Sequence, residues 1–430
     1  MVVQLEGNLI GMAIAVIHAR MSFDVSDHES ALAGDIAANK LCQPRITRVA
    51  AAEHGPTLFR SFFLGGFECS SHRRRDGRRL DLITATRHDL LALEDYQQLR
   101  QHGIRAARDG VRWHRVEAVP GYYDWSSLLP MLSAAETAGV QVVWDLCHYG
   151  WPDHLDVFSA AFVEHFARYA TAFARVHLDE TGRPPLVCPI NEISYLAWAG
   201  GEVARMNPGT RGRGSELKRQ LVRATMAAIH AMRMAAPGTR VFAIDPVIHV
   251  VPGRGQDPRR AAAYTRAQFE TWDMLAGRRE PELGGDPDML DVLGANYYWN
   301  NQWVHRGRAL SPDDPRSRPL SALLAALHAR YGRPLFLAET SIEGEGRAAW
   351  LQAVAGQVRD AMCAGVPVEG ICLYPVLSHP GWSNGRMCPN GLFEMEPRHG
   401  RRPVHAPIAA ELRRQQAIFE TLIQIGSGTR

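Results

Sequence analysis

Lysine is almost missing from this 430-residue chain. Only Lys40 and Lys218 occur, and arginine supplies all the other basic residues. The arginines are scattered, with no basic patch interleaved with aromatics, so a nucleic-acid surface is excluded and the bias is assigned to a GC-rich bacterial genome. A net charge of +3 points to no acidic partner. No apolar run approaches the roughly 20 residues of a membrane span, and the 46% hydrophobic and 22% charged composition is that of a globular enzyme. The seven cysteines, Cys42, Cys69, Cys147, Cys188, Cys363, Cys372 and Cys388, contain no CxxC pair, which excludes the common zinc and redox motifs and fits reduced thiols in a cytoplasm. The one targeting candidate, the apolar run 9–17, follows Glu6 and lacks both a basic start and a small-x-small cleavage site. It reads as an uncleaved extension or a start codon assigned upstream of Met21.

What is present is a repeat. From about residue 60, short apolar runs ending in polar residues alternate with segments of helical period. The runs 62–67, 106–111, 141–147, 186–191, 240–245, 292–296, 334–339 and 370–374 read as strands. The segments 89–102, 126–138, 160–178, 217–235, 261–275, 320–330, 348–364 and 407–423 read as helices. Phe162, Phe166, Tyr169 and Phe173 fall on one helix face and are expected in the core. Gly103, Gly139, Gly332 and Gly365 follow helices as stop signals. Eight βα units without GxGxxG after the first strand favour an α/β fold closed as a single (β/α)8 TIM barrel over residues 61–430, not a nucleotide-binding open sheet. Residues 1–60 form an irregular N-terminal extension. The stretches 253–285 and 307–319, rich in Gly, Pro, Arg and Asp, are expected to be loops.

In such a barrel the reacting groups sit at the C-terminal strand ends. Those ends carry Arg108 and Asp109, His148 and Tyr149, Asn191 and Glu192, Asn296 with Tyr297 and Tyr298, Glu339, and Tyr374 followed by Trp382. Two carboxylates on separate strands, with aromatic faces for sugar CH groups and His and Asn for hydroxyls, are what glycosidic-bond cleavage requires. Glu192 is read as general acid/base and Glu339 as nucleophile. Glu343 and Glu345 follow the strand end and read as loop residues. His148, Asp153 and His154 match no ligand spacing, so neither metal nor cofactor is expected, and Asp145 reads as a hydrogen-bonded structural acid.

Taken in order, Phe63-Leu64-Gly65-Gly66, Arg108 with Trp113, Cys147-His148-Tyr149-Gly150-Trp151-Pro152, Pro189-Ile190-Asn191-Glu192, Gly294-Ala295-Asn296-Tyr297-Tyr298 and Ala338-Glu339-Thr340 resemble the motifs of glycoside hydrolase family 1 and its clan A. The resemblance implies a retaining β-glycosidase acting through a glycosyl-enzyme intermediate. It further implies that Asn191 bonds the sugar 2-hydroxyl, that Tyr298 and Arg108 orient and charge-stabilise Glu339, and that His148 contacts another hydroxyl. Two positions depart from it. Arg73 stands where the family has a sugar-binding glutamine, and Gly381, before the stacking residue Trp382, replaces its recognition glutamate. Glu68, Arg73, His379 and Asn384 are therefore candidates for reading a sugar other than plain glucose, although the Arg73-Arg74-Arg75 run reads equally as a solvated surface. The substrate is expected to be a carbohydrate or glycoconjugate. Transglycosylation on the same machinery and a non-catalytic carbohydrate-binding barrel are the alternatives.

Overall fold

A computed structural model describes residues 58–311, 313–397 and 401–428. The apolar run 9–17 and nearly all of the expected extension lie outside the described residues. The eight expected strands form a closed parallel barrel: β1 Phe63–Gly66, β2 Ala106–Gly110, β3 Gln141–Cys147, β4 Leu186–Ile190, β5 Arg240–Pro246, β6 Val292–Asn296, β7 Leu335–Thr340 and β8 Val368–Leu373. Each pairs with its sequence neighbour, and β1 closes on β8 through Phe63 opposite Ile371. Expected and observed ends coincide or differ by at most two residues.

Helices cover the strands. In the helix Ala160–Thr181, Ser159 caps the start by accepting from the Phe162 amide, and Gly182 ends it at φ +67. The rings of Phe162, Phe166, Tyr169 and Phe173 are wholly buried, and Trp113 stacks on Tyr169 at 5.1 Å between centroids. Burial of each ring stabilises the fold by about 2 kcal/mol, so the one-sided aromatic spacing fixes which face meets the barrel. The four stop glycines all take up left-handed backbone. The expected helix 126–138 starts at Leu129. The helix expected over 261–275 is present as Pro258–Ala267 and Glu270–Leu275, begun by Asp257, whose side chain accepts from the Arg259 amide, and interrupted at Gln268 and Phe269, so the wider stretch 253–285 is not simply the loop expected there. A high content of loop-type residues was outweighed there by a capping Asp-Pro pair.

The barrel interior is layered. Phe59, Phe242 and Phe336 plug its lower end with centroids 5.2 to 5.8 Å apart, and Leu64, Ala106, Val143 and Cys188 join them in the same cluster. Two residues further along β2 and β3, Arg108 and Asp145 point into the barrel, wholly buried. Gly66 leaves the space that the Tyr374 ring fills, since a Cβ there would lie 2.1 Å from Tyr374 Cδ2. After β8 a hairpin of His379–Pro380 and Met387–Cys388 carries Trp382 over the barrel mouth.

Five cysteines, Cys69, Cys147, Cys188, Cys372 and Cys388, are free and buried. Among the described residues no helix is long and apolar enough to cross a membrane.

Candidate active site

Glu339 ends β7 with both carboxylate oxygens held: Arg108 Nη1 donates to Oε1 at 3.1 Å, and the Tyr298 hydroxyl donates to Oε2 at 2.9 Å. Burial, with the Glu68 charge, holds its carboxyl above the ordinary value, and the charges of Arg108 and His148 and the Tyr298 hydrogen bond offset that rise only in part. Glu192 follows β4 in left-handed backbone, φ +46, and opens the short helix Ile193–Leu196. It meets no cation. Asn296 Nδ2 donates to Oε1 at 2.8 Å and the Tyr149 hydroxyl donates to Oε2. Burial, then the negative charge of Glu339, pushes the Glu192 carboxyl up to about 8. Tyr149, at φ +68, is likewise left-handed. Such conformations cost a non-glycine residue about 1–3 kcal/mol and persist where the surroundings over-determine them.

Between the acids lies a network centred on Asp145. Its Oδ2 accepts from Arg108 Nη2 at 2.7 Å and lies 2.9 Å from His148 Nδ1. Although burial raises a carboxyl, Arg108 and His148 hold Asp145 below its ordinary value, and Asp145 in turn holds His148 above its own. Arg108 Nη2 also donates to Asn191 Oδ1 at 3.1 Å, and Nη1 donates to the Ala338 carbonyl at 2.8 Å. Asn191 Nδ2 lies 3.1 Å from His148 Nε2 and 3.2 Å from the Tyr149 hydroxyl. Tyr374, wholly buried, stacks parallel to His148 and sits under the Arg108 guanidinium at 5.0 Å, so it supports both. Trp382 meets Tyr149 edge-on at 5.5 Å and His72 at 5.2 Å. The structure thus brings together Arg108, His148, Tyr149, Asn191, Glu192, Asn296, Tyr298, Glu339, Tyr374 and Trp382.

Arg73 is not brought in. Its guanidinium pairs with Asp153 and donates to the Gly77 carbonyl, and its side chain is 41% exposed. Arg79 shares Asp153. The run of arginines therefore lies on the surface, where long charged side chains are readily solvated. Asn384 is exposed and caps its own turn, and His379 Nδ1 faces the Pro380 carbonyl at 2.9 Å. A Cβ on Gly381 would meet Arg386 O, Asn384 Oδ1 and Cys388 Sγ, each at 3.3 Å, so the hairpin leaves little room for a longer residue. Glu343 pairs with Arg386 and the Glu345 side chain is 91% exposed, as loop residues should be.

Asp109 faces outward from β2, where it accepts from Tyr96 at 2.6 Å and meets His88 at 2.8 Å. His148, Asp153 and His154 are separated into three different sets of partners. Two other clusters, Cys69-Asp145-His148 and Glu117-His154-His165, have ligand-type atoms within 4.8 Å of one another. Hydrogen bonds account for their geometry, with His165 Nδ1 2.6 Å from Glu117 and Trp113 Nε1 donating to the same carboxylate at 2.8 Å.

Two residues escaped the sequence reading. Asp245, at the end of β5, accepts from the Ser194 amide and hydroxyl at 3.1 and 2.7 Å and so anchors the turn that carries Glu192. Burial raises Asp245 to about 6. Its strand-end position was the available signal. Cys69 lies 3.2 Å from His148 Nδ1, and nothing in its sequence neighbourhood marked it.

No protein-family model matches the chain, and no curated protein matches its sequence. Solved structures match its fold. The β-glucosidase from Thermotoga maritima in complex with glucoimidazole superposes with a TM-score of 0.67 at 15% identity, over 84% of this chain and 99% of that one. A β-glycosidase designated BGL167 gives 0.63 at 20% identity, over 78% and 87%. The AHE enzyme from Alicyclobacillus herbarius gives 0.67 at 18% identity, over 85% and 100%. At these identities the shared property is architecture: the chain is a closed (β/α)8 barrel of the kind on which these proteins are built.

Proposed function

We propose that the protein is a retaining β-glycoside hydrolase, with Glu339 as nucleophile and Glu192 as acid/base. The observation that carries the proposal is the asymmetry of the two buried acids. Glu339 touches the Arg108 cation, whereas Glu192 is held only by a neutral hydroxyl and an amide. A nucleophile must be ionised and an acid protonated near neutrality, and these surroundings separate the two in that sense. The fold shared with β-glucosidases supports the same reading.

In the first step Glu192 gives its proton to the glycosidic oxygen, which leaves with the electron pair of the C1–O bond while the Glu339 carboxylate bonds to C1. The Glu339 charge disappears in that ester. With it goes the second-largest cause of the raised Glu192 pKa, so Glu192, now deprotonated, is matched to take a proton from water. The water oxygen then bonds to C1 and Glu339 leaves as carboxylate. Two displacements retain the anomeric configuration, a geometry that calls for carboxyl groups about 5 to 5.5 Å apart. Asn191 and His148 are assigned to sugar hydroxyls, and Trp382 to the apolar face of the ring.

Replacing Glu339 by Gly should abolish turnover, with azide rescuing it as an α-glycosyl azide, because a single displacement from the nucleophile's side inverts the β-anomer. Full activity of Glu339→Gly would sink the nucleophile assignment. Replacing Glu192 by Ala should spare dinitrophenyl glycosides far more than alkyl glycosides, and equal losses on both would remove Glu192 as the acid.

A further inference from the structure

Glu68 lies just beyond β1 at the barrel mouth, 7% exposed. One oxygen, Oε1, is fixed by its neighbour Ser70, whose amide donates to it at 3.0 Å and whose hydroxyl donates as well. Oε1 stands 4.0 Å from His148 Nε2. Among the described residues nothing donates to the other oxygen, Oε2, and it is not among the sealed, unpaired polar atoms. A buried carboxylate with one oxygen clamped and the other unpaired is costly unless an incoming donor satisfies it.

The Glu68 charge reaches both sides of the site, acting on His148 and Glu339 as well as on Tyr298, Tyr374 and His72. Glu68 therefore lies among the groups that surround the two proposed catalytic acids. The other candidates for sugar reading are occupied elsewhere, Arg73 by Asp153, and His379 and Asn384 by their own hairpin.

We infer that Glu68 is the specificity-determining carboxylate of the site, its free oxygen accepting a hydrogen bond from a ring hydroxyl of an uncharged sugar lodged beside His148. The inference rests on the glycosidase reading of the site. It also excludes a class of substrate. Arg108 spends both terminal nitrogens on Glu339, Asp145, Asn191 and the Ala338 carbonyl, and burial keeps His72 neutral by lowering its pKa to about 4. Among the described residues the raised-pKa group beside Glu68 is His148, whose Nδ1 is already held by Asp145, so a sugar carboxylate or phosphate would meet the Glu68 charge.

The test is a cycle between enzyme and substrate. A panel of p-nitrophenyl β-glycosides identifies the preferred neutral sugar, and its 3-deoxy and 4-deoxy analogues are then compared on wild type and Glu68→Gln. Gln keeps the oxygen that Ser70 clamps but turns the free acceptor into a donor. The expected result is a loss in kcat/KM of about 10- to 150-fold on the parent sugar, shrinking to less than threefold on the deoxy analogue that lacks the hydroxyl Glu68 reads. A variant that merely folds poorly would lose equally on all substrates. Equal loss on parent and both analogues, or no loss on any, overturns the assignment of Glu68 alone. Wild-type preference for a β-glucuronide or a 6-phosphoglycoside over every neutral sugar overturns it too. No wild-type turnover of any aryl glycoside in the panel removes the glycosidase reading and this inference together.

Discussion

Glu192→Gln should make the protein more stable, and increasingly so as the pH rises. In the unfolded chain a glutamate loses its proton near the ordinary value of 4.5, whereas in the folded site burial and the Glu339 charge hold the proton up to about 8. Between those values folding takes up a proton, so stability falls as pH increases, by about 1.4 kcal/mol per pH unit, and levels off above about pH 8. The full window amounts to about 5 kcal/mol. Because Glu192 and Glu339 share the repulsion, about 3–5 kcal/mol is the expected range for one substitution. Gln keeps the shape and can still accept from Asn296 while meeting Tyr149, so no cavity offsets the gain. Urea unfolding of both proteins at pH 5 and pH 9 measures it. With a denaturant slope of about 3 kcal/mol/M or more, the variant should gain about 1 M in midpoint over wild type between the two pH values. If the two midpoints move in parallel from pH 5 to pH 9, the site does not hold Glu192 protonated and the acid assignment loses its physical basis.

The remaining predictions concern neighbours. In wild type the basic limb of kcat/KM should fall through about pH 8, and Tyr149→Phe should move that limb to higher pH, because the lost hydroxyl hydrogen bond favoured the charged carboxylate. A limb that moves downward would contradict the geometry. Tyr298→Phe removes a hydrogen bond that favours ionised Glu339, so the acidic limb should rise and kcat/KM fall about 10- to 100-fold, given about 1.5–3 kcal/mol for a hydrogen bond to a charge. Arg73→Ala should leave kcat/KM within twofold, since its partner is the surface acid Asp153; a tenfold loss on a neutral aryl glycoside would place Arg73 in substrate binding after all. Gly66→Ala should unfold the barrel mouth or abolish soluble expression, because the added carbon overlaps the Tyr374 ring at 2.1 Å. A thermal midpoint matching wild type would refute that packing.

The barrel was legible because each strand is a short apolar run closed by glycine-stopped helices, a pattern that survives without knowledge of tertiary contacts. The ends of those runs also located Arg108, Glu192, Asn296 and Glu339, since strand ends and barrel mouth coincide in this topology. Less legible were the features set by side-chain direction and loop path. Asp109 is adjacent to Arg108 in sequence, yet alternation along β2 turns it outward toward His88 and Tyr96. Arg73 and Glu68 lie five residues apart after β1, and only the course of the chain decides that Arg73 pairs with Asp153 while Glu68 faces His148. The helix at 261–275 was legible from its period, but its start at Pro258 and its break at Gln268 and Phe269 were not, because capping residues and loop residues are largely the same types.

Asp145 gives the site an internal wiring. One oxygen of one buried acid is shared by the cation that touches Glu339 and by His148, the histidine proposed to hold a sugar hydroxyl. Polarising His148 through a bound hydroxyl draws on the same electron density that steadies Arg108, and Arg108 in turn sets how tightly Glu339 holds its charge. On the proposed reading, a substrate with a wrong or missing hydroxyl should be penalised in the reactivity of the attacking oxygen as well as in adhesion. Discrimination among sugars should accordingly appear in kcat alongside KM, because recognition and attack draw on a single anion.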